Sequence, residues 1–344
     1  MTATNGMNAL HPAGNKNHGT GPAAGPGALK RLASFPWWHE VILAILLICL
    51  LTYAGSVAPM FLRPGVQIGL SDRLWNVALL ALPMMMIILT GGIDLSVGST
   101  MSLSAVVFAL TFTHGAPLWL ACVAAVATGL ACGFLNGIFV AWVRVHPLIV
   151  TLATLAAFRG VAEGISLGRG ISGFPPGFQA IAHHNILGLR PEGWLFIAAA
   201  AYTAIVLAKA PFGRYLYAIG HNEMAARYSG IPTAKMKLFL YSLSGMAAGA
   251  AALFAVARVD TARANLGYGM ELKVITAVVF GGVSIFGGRG NIVGVIMGLL
   301  LIYETREFIS WQWNNDNLIS IIIGGLLITS VLLQVALRAG KTAQ

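Results

Sequence analysis

The chain has 344 residues, of which 57% are hydrophobic and only 9% charged, and its mean hydropathy is +0.80. A soluble domain carries about 25% charged residues, so this composition excludes a water-covered globule and requires a surface turned to lipid. The formal net charge of +10 does not argue for nucleic acid, because cytoplasmic loops of membrane proteins collect Lys and Arg and no nucleic-acid-binding motif accompanies the charge.

Residues 1–36 are rich in Gly, Asn, His, Pro and Ala. Such a stretch cannot bury enough apolar area to offset its ordering entropy, so it is expected to be a flexible cytoplasmic tail. From Val41 onward, long apolar runs follow one another, among them Val41–Met60, Pro117–Val143 and Leu318–Leu337. About 20 apolar residues span a bilayer core as a helix, whereas a barrel would alternate in segments of about 10. The expectation is an all-α polytopic membrane helical bundle of about ten transmembrane passages, near 40–60, 73–90, 95–113, 117–142, 147–167, 193–210, 237–257, 271–287, 290–308 and 317–337. The domain organisation is the tail plus one transmembrane domain over 37–340. With the amino terminus inside, the inner loops and tails hold twelve Lys and Arg and the outer loops eight, which favours both termini in the cytoplasm. Cys49, Cys122 and Cys132 all lie in apolar runs and read as packing residues, not as a disulfide or metal framework.

Along the chain, the first strong local signal is Gly91-Gly92-Ile93-Asp94-Leu95-Ser96-Val97-Gly98-Ser99. Two glycines end one span, and Asp94 or Ser96 can cap the next by accepting free backbone N–H groups. An acid in the hydrocarbon region is costly and usually functional. Capping is the commoner role for an Asp beside a break; direct solute contact is the alternative. A discontinuous helix is therefore expected here, with Gly91, Gly92, Asp94 and Ser96 beside the translocation path, and with Asn136, Thr151 and Thr154 supplying further polar groups to it. Arg159 and Glu163 stand four apart in one span and either pair with each other or line the path. Gly129, Gly133 and Gly137, and likewise Gly245 and Gly249, repeat every four residues and read as helix-packing faces.

The inner loop 211–237 carries the second signal. Its centre, Gly220-His221-Asn222-Glu223-Met224-Ala225-Ala226-Arg227-Tyr228-Ser229-Gly230-Ile231-Pro232, is punctuated as one short helix. Asn222 can cap its start, Glu223 suits the positive end of the dipole, Gly230 suits the left-handed stop and Pro232 follows. Two turns of helix are unstable alone, so a partner protein or the lipid headgroups must support it. Ala225 and Ala226 would give it a face small enough to enter a groove. On spacing alone the docking and interfacial readings stand level.

The run from Gly220 to Ile231 resembles the cytoplasmic coupling loop of ribose-type ABC importer permeases, a family that includes permeases for other monosaccharides and for autoinducer-2. The string from Gly91 to Ser99 resembles the same family. So do Asn136-Gly137, the stretch from Pro147 to Leu152 with Arg159-Gly160, and the glycine-rich stretch from Gly281 to Gly290; Val295 departs from its pattern. The resemblance covers about residues 40–336. It implies a type II-like ABC importer permease architecture, in which Gly220, Asn222, Glu223, Ala225, Ala226, Arg227, Ser229, Gly230 and Ile231 form the ATPase-coupling loop. It also implies the partners: ABC ATPase subunits carrying ATP and Mg, a periplasmic sugar-binding protein, and a second permease copy, identical or paralogous, in a bacterial inner membrane.

Enzyme chemistry finds no footing. Gly340-Lys341-Thr342 lacks the glycine that a phosphate-binding loop needs five positions earlier, where Val335 stands. His183-His184 reads as a loop feature. No metal site, bound cofactor or catalytic residue is expected on this chain, and ATP hydrolysis is assigned to a separate subunit. An ion-coupled secondary transporter is the alternative, and it would depend on Asp94, Arg159 and Glu163.

Overall fold

The computed structural model describes residues 37–313 and parts of 317–332. The expected tail 1–36, most of the tenth passage and Gly340-Lys341-Thr342 lie outside the described residues. In chain order the elements are α1 (Trp38–Val57), α2 (Pro64–Leu70), α3 (Asp72–Leu89), α4 (Val97–Thr113), α5 (Leu118–Ala141) and α6 (Pro147–Ser166). These are followed by β1 (Ile171–Ser172), α7 (Pro176–His183), α8 (Pro191–Lys209), α9 (Pro211–His221), α10 (Glu223–Tyr228) and α11 (Thr233–Val259). The described part ends with β2 (Thr261–Ala262), α12 (Met270–Phe280) and α13 (Ile292–Trp313).

Among the described residues six helices are long and apolar enough to cross a membrane: α1, α3, α5, α6, α8 and α11. The other expected passages differ for physical reasons. α4 and α12 are cut short because each starts after an unwound stretch, 90–96 and 263–269. The glycines from Gly281 onward end α12, so the span expected over 271–287 stops at Phe280. α13 is long, but it carries Glu304, Arg306 and Glu307.

The layering follows from which helices are apolar all round. α3 is buried on every side, with Leu80, Met84, Met85, Ile87, Ile88 and Leu89 inaccessible, as expected for a helix at the centre of a bundle. α1 is the opposite case. It exposes Val41, Ile42, Ile45, Leu46 and Ile48, an apolar surface suited to lipid.

α5 and α11 form the tightest pair, and glycine is the reason. A Cβ at Gly129 would come within 2.2 Å of the Gly245 carbonyl oxygen, and one at Gly133 within 2.1 Å of the Tyr241 carbonyl oxygen. With no hydrophobic drive between helices in lipid, such close backbone approach supplies the dispersion contact that holds them. Gly133→Ala is therefore expected to push α11 away from α5 and to lower stability by about 1–3 kcal/mol. Thermal unfolding of the detergent-solubilised protein checks this.

Candidate functional site

The break after α3 is built from its own residues. Gly91 takes a left-handed turn at φ 79°, and Thr90 turns its hydroxyl back to the Ile87 carbonyl at 2.8 Å. Asp94, only 2% exposed, then collects three bonds. Its Oδ1 accepts from the Ser96 N–H at 3.0 Å and from the Ser96 hydroxyl at 2.7 Å. Its Oδ2 accepts from the Ser244 hydroxyl on α11 at 2.8 Å. Asn136 on α5 donates to Ser96 Oγ at 2.7 Å. The Ile93 carbonyl, freed by the break, faces the hydroxyls of Thr151 at 3.2 Å and Tyr241 at 3.4 Å. The unwound segment is thus tied to α5, α6 and α11, and each tie satisfies a backbone or side-chain group that lipid could not.

Of the two candidate caps, Asp94 does the work. Ser96 occupies the N-cap position of α4 without accepting a backbone N–H; its hydroxyl instead links Asp94 to Asn136. Thr151 and Thr154 also turn their hydroxyls to backbone carbonyls of their own helix. Ser96, Asn136, Thr151 and Thr154 are all buried in this structure. Sequence reading did not find Ser244 and Tyr241, because nothing in the local pattern of α11 marks them; their role comes from lying opposite the break.

The unwound stretch 263–269 ahead of α12 meets this region. A Cβ on Gly98, in the first turn of α4, would lie 2.3 Å from the Gly267 carbonyl oxygen. The Gly267 N–H donates to Ser102 Oγ at 2.9 Å. The stretch before α12 therefore packs directly on the start of α4, beside the first break.

A second junction joins the break to the inner loop. The Gly288 N–H donates to the Leu89 carbonyl at 2.9 Å. Gly220, near the end of α9, is pressed between them: a Cβ there would lie 1.9 Å from the Leu89 oxygen and 2.3 Å from the Gly288 nitrogen. Tyr217 on α9 adds a bond from its hydroxyl to the Gly290 carbonyl at 2.9 Å. Three backbones, the end of α3, the end of α9 and the loop after α12, are therefore in direct contact.

α10 follows at once. Asn222 Oδ1 accepts the Ala225 N–H at 3.0 Å, and Gly230, at φ 82°, lets the Ile231 N–H reach the Ala226 carbonyl at 3.1 Å. Glu223 holds Lys237 Nζ at 2.6 Å and Arg227 at 3.5 Å. The expected small face of Ala225 and Ala226 does not exist as such. Ala226 is turned inward and 5% exposed, while Met224 (61%) and Tyr228 (86%) stand out beside the exposed Ala225. The period of so short a helix leaves open which side packs down, and the apolar neighbours beneath settle it.

Arg159 and Glu163 do not pair. The Arg159 guanidinium lies over the Tyr268 ring, with Cζ 4.8 Å from its centroid. A tertiary contact has displaced the i, i+4 pairing.

Residues 74–331 match the family described as branched-chain amino acid transport system, permease component. This chain belongs to that permease family. The autoinducer 2 import system permease protein LsrC of Salmonella typhimurium strain LT2 is 31% identical to it over 310 residues, covering 89% of each chain. LsrD of Enterobacter sp. strain 638 is 31% identical over 301 residues, 86% of this chain and 92% of the relative. LsrC of Yersinia enterocolitica is 34% identical over 254 residues, 73% of this chain and 71% of the relative. No solved structure matches the chain. The permease is a multi-pass inner-membrane component of a transport system.

Charges at the far end of the permease bundle pair across helices. Arg190 Nε holds Asp72 at 2.8 Å, and Arg258 Nη2 holds both oxygens of the buried Glu192 at 2.7 and 2.6 Å. β1 and β2 join antiparallel nearby, Ile171 opposite Ala262 and Ser172 opposite Thr261. These ties fix the ends of α3, α6, α8 and α11 relative to one another.

Proposed function

We propose that the permease is the membrane subunit of a binding-protein-dependent ABC importer for a small sugar or sugar-like solute, with the furanone autoinducer-2 among the candidates. The relatives' names support the solute class. The observation that carries the mechanism is the placement of α10: it turns Met224 and Tyr228 outward and begins three residues beyond Gly220, at the backbone junction that reaches the end of α3 and the start of the Asp94 break.

Two ATPase subunits, each with ATP and Mg, dock at the inner loops of two permease copies. A periplasmic binding protein delivers solute to the outer loops, and both permease termini lie in the cytoplasm. ATP-driven closure favours one arrangement of the spans through differential contact with α10. The junction at Gly220 passes that movement to the end of α3. The buried hydroxyls of Ser96, Thr151 and Thr154 and the Asn136 amide then exchange partners with solute hydroxyls as the path opens.

The test is reconstitution in proteoliposomes with the cognate ATPase and binding protein, assaying pentoses, hexoses, deoxyhexoses and autoinducer-2 separately. ATP-dependent uptake of one of these is expected. Uptake driven by an ion gradient with no ATPase present overturns the proposal in favour of a secondary transporter. The double variant Met224→Glu, Tyr228→Glu is expected to insert normally, since both side chains are exposed, yet to lose co-purification with the ATPase and at least about tenfold in uptake, the equivalent of ~1.4 kcal/mol of docking energy.

A further inference from the structure

The start of α4 is uncapped. Ser96 stands at its N-cap but accepts no backbone N–H, because its hydroxyl joins Asp94 to Asn136 instead. Asp94 takes only the N–H of Ser96 itself. The N–H groups of Val97, Gly98 and Ser99 thus find no acceptor among the described residues, although all three residues are buried. A helix start buried in this way still needs partners for those donors.

Glu271, in the first turn of α12, gives the second observation. It is 8% exposed, and its Oε2 has no hydrogen-bond partner among the described residues. That oxygen is aimed at the first turn of α4: a Cβ on Gly98 would lie 2.4 Å from it. The positive ends of α4 and α12 make the charge tolerable here, but neither gives Oε2 a hydrogen. A buried acid is costly unless its oxygens are bonded, and acids inside membrane bundles mark solute and ion pathways. Asp94 is the contrast, since Ser96 and Ser244 occupy both of its oxygens.

We propose that Glu271 and the first turn of α4 bind a hydroxyl group of the transported solute. A hydroxyl supplies what each side lacks. Its oxygen accepts an N–H from the start of α4, and its hydrogen goes to Glu271 Oε2. A cation would suit the carboxylate but meet the positive end of α4, and an anion would suit the N–H groups but meet the carboxylate. The pairing therefore selects a neutral polyhydroxy solute. Gly267 covers the place in this structure, held by its N–H on Ser102 Oγ at 2.9 Å, and the hydroxyl enters when the stretch 263–269 lifts from Gly98. The proposal rests on the importer reading above and gives it a solute contact.

Uptake in proteoliposomes containing the cognate ATPase and binding protein tests it. The probes are whichever of the pentoses, hexoses, deoxyhexoses and autoinducer-2 gives uptake, and its analogues lacking one hydroxyl each. Glu271→Ala is expected to slow uptake of the full solute about tenfold, the worth of one hydrogen bond to a charged group. With the analogue that lacks the bound hydroxyl, Glu271→Ala and the unmodified chain are expected to run at the same rate. Glu271→Gln keeps the shape and one acceptor oxygen, and is expected to fall between the two with the full solute. Undiminished uptake of the full solute by Glu271→Ala overturns the site. So does a loss by the same factor with the full solute and every analogue, which would make Glu271 a packing residue. Both outcomes leave the importer reading intact; that reading fails, and the site with it, only if the unmodified chain takes up nothing with its ATPase.

Discussion

Gly220→Ala is expected to abolish ATP-driven uptake while the permease still reaches the membrane. A methyl group at this position has nowhere to go. It would sit 1.9 Å from the Leu89 carbonyl oxygen and 2.3 Å from the Gly288 nitrogen, and both are backbone atoms that cannot swing aside as a side chain can. Either α9 moves off by more than an ångström or the Gly288–Leu89 hydrogen bond opens. Overpacking of this kind costs about 1–3 kcal/mol, and the lost bond, buried away from water, adds about 1–3 kcal/mol for each group left unsatisfied. The spans themselves are untouched, so insertion survives and the link from α10 to the break is what fails. The expected signature in proteoliposomes is ATP hydrolysis that no longer responds to the loaded binding protein, together with uptake near background.

Two further variants separate this from general damage. Gly65→Ala, where a Cβ meets nothing within 4 Å, should behave as the unmodified chain. Tyr217→Phe removes only the hydroxyl that donates to Gly290 at 2.9 Å. It is expected to weaken coupling by a few-fold, in line with about 0.5–1.5 kcal/mol for one hydrogen bond. Tightly coupled uptake by the Gly220→Ala protein would rule out the junction as the route of transmission.

The long spans were legible because lipid imposes one requirement over twenty residues at a time: α1, α3, α5, α6, α8 and α11 can be read from apolar run length alone. Local punctuation was legible wherever cap and helix lie next to each other in sequence. Thus Asn222 caps α10 and Gly230 ends it, and Gly91 marks the end of α3. What could not be read were contacts made across the fold. Ser244 completes the Asp94 site from another helix, and Tyr268 takes Arg159 away from Glu163. The stretch 263–269 reads as an outer loop because Arg258, Asp260 and Arg263 flank it. Yet Arg258 is engaged by Glu192, the Asp260 carboxylate by the Phe174 N–H, and Gly267 packs on Gly98. Charge content alone cannot separate a wet loop from one whose charges are paired.

Asp94 allows its two possible roles to be separated by substitution. If the carboxylate is there to hold the break, what matters is its capacity to accept hydrogen bonds in that geometry. Asp94→Asn keeps one oxygen for the Ser96 N–H and hydroxyl, and its amide N–H can donate to Ser244, which then turns its own hydroxyl elsewhere. The loss expected is about 1 kcal/mol, one charge-assisted bond weakened to a neutral one. Asp94→Ala leaves the Ser96 N–H with no acceptor and strands the Ser96 and Ser244 hydroxyls, in a region with no water to replace them. At about 1–3 kcal/mol for each stranded group, the loss reaches ~3 kcal/mol or more, enough to unwind the start of α4. Thermal stability in detergent should therefore fall in the order unmodified, Asn, Ala, and uptake should follow the same order. A solute-contacting role makes a different demand. There Asn and Ala would lose uptake equally, while Asn kept full stability, because the missing charge and not the missing acceptor would limit transport. That second pattern would remove Asp94 from the frame of the break and place it on the solute's path.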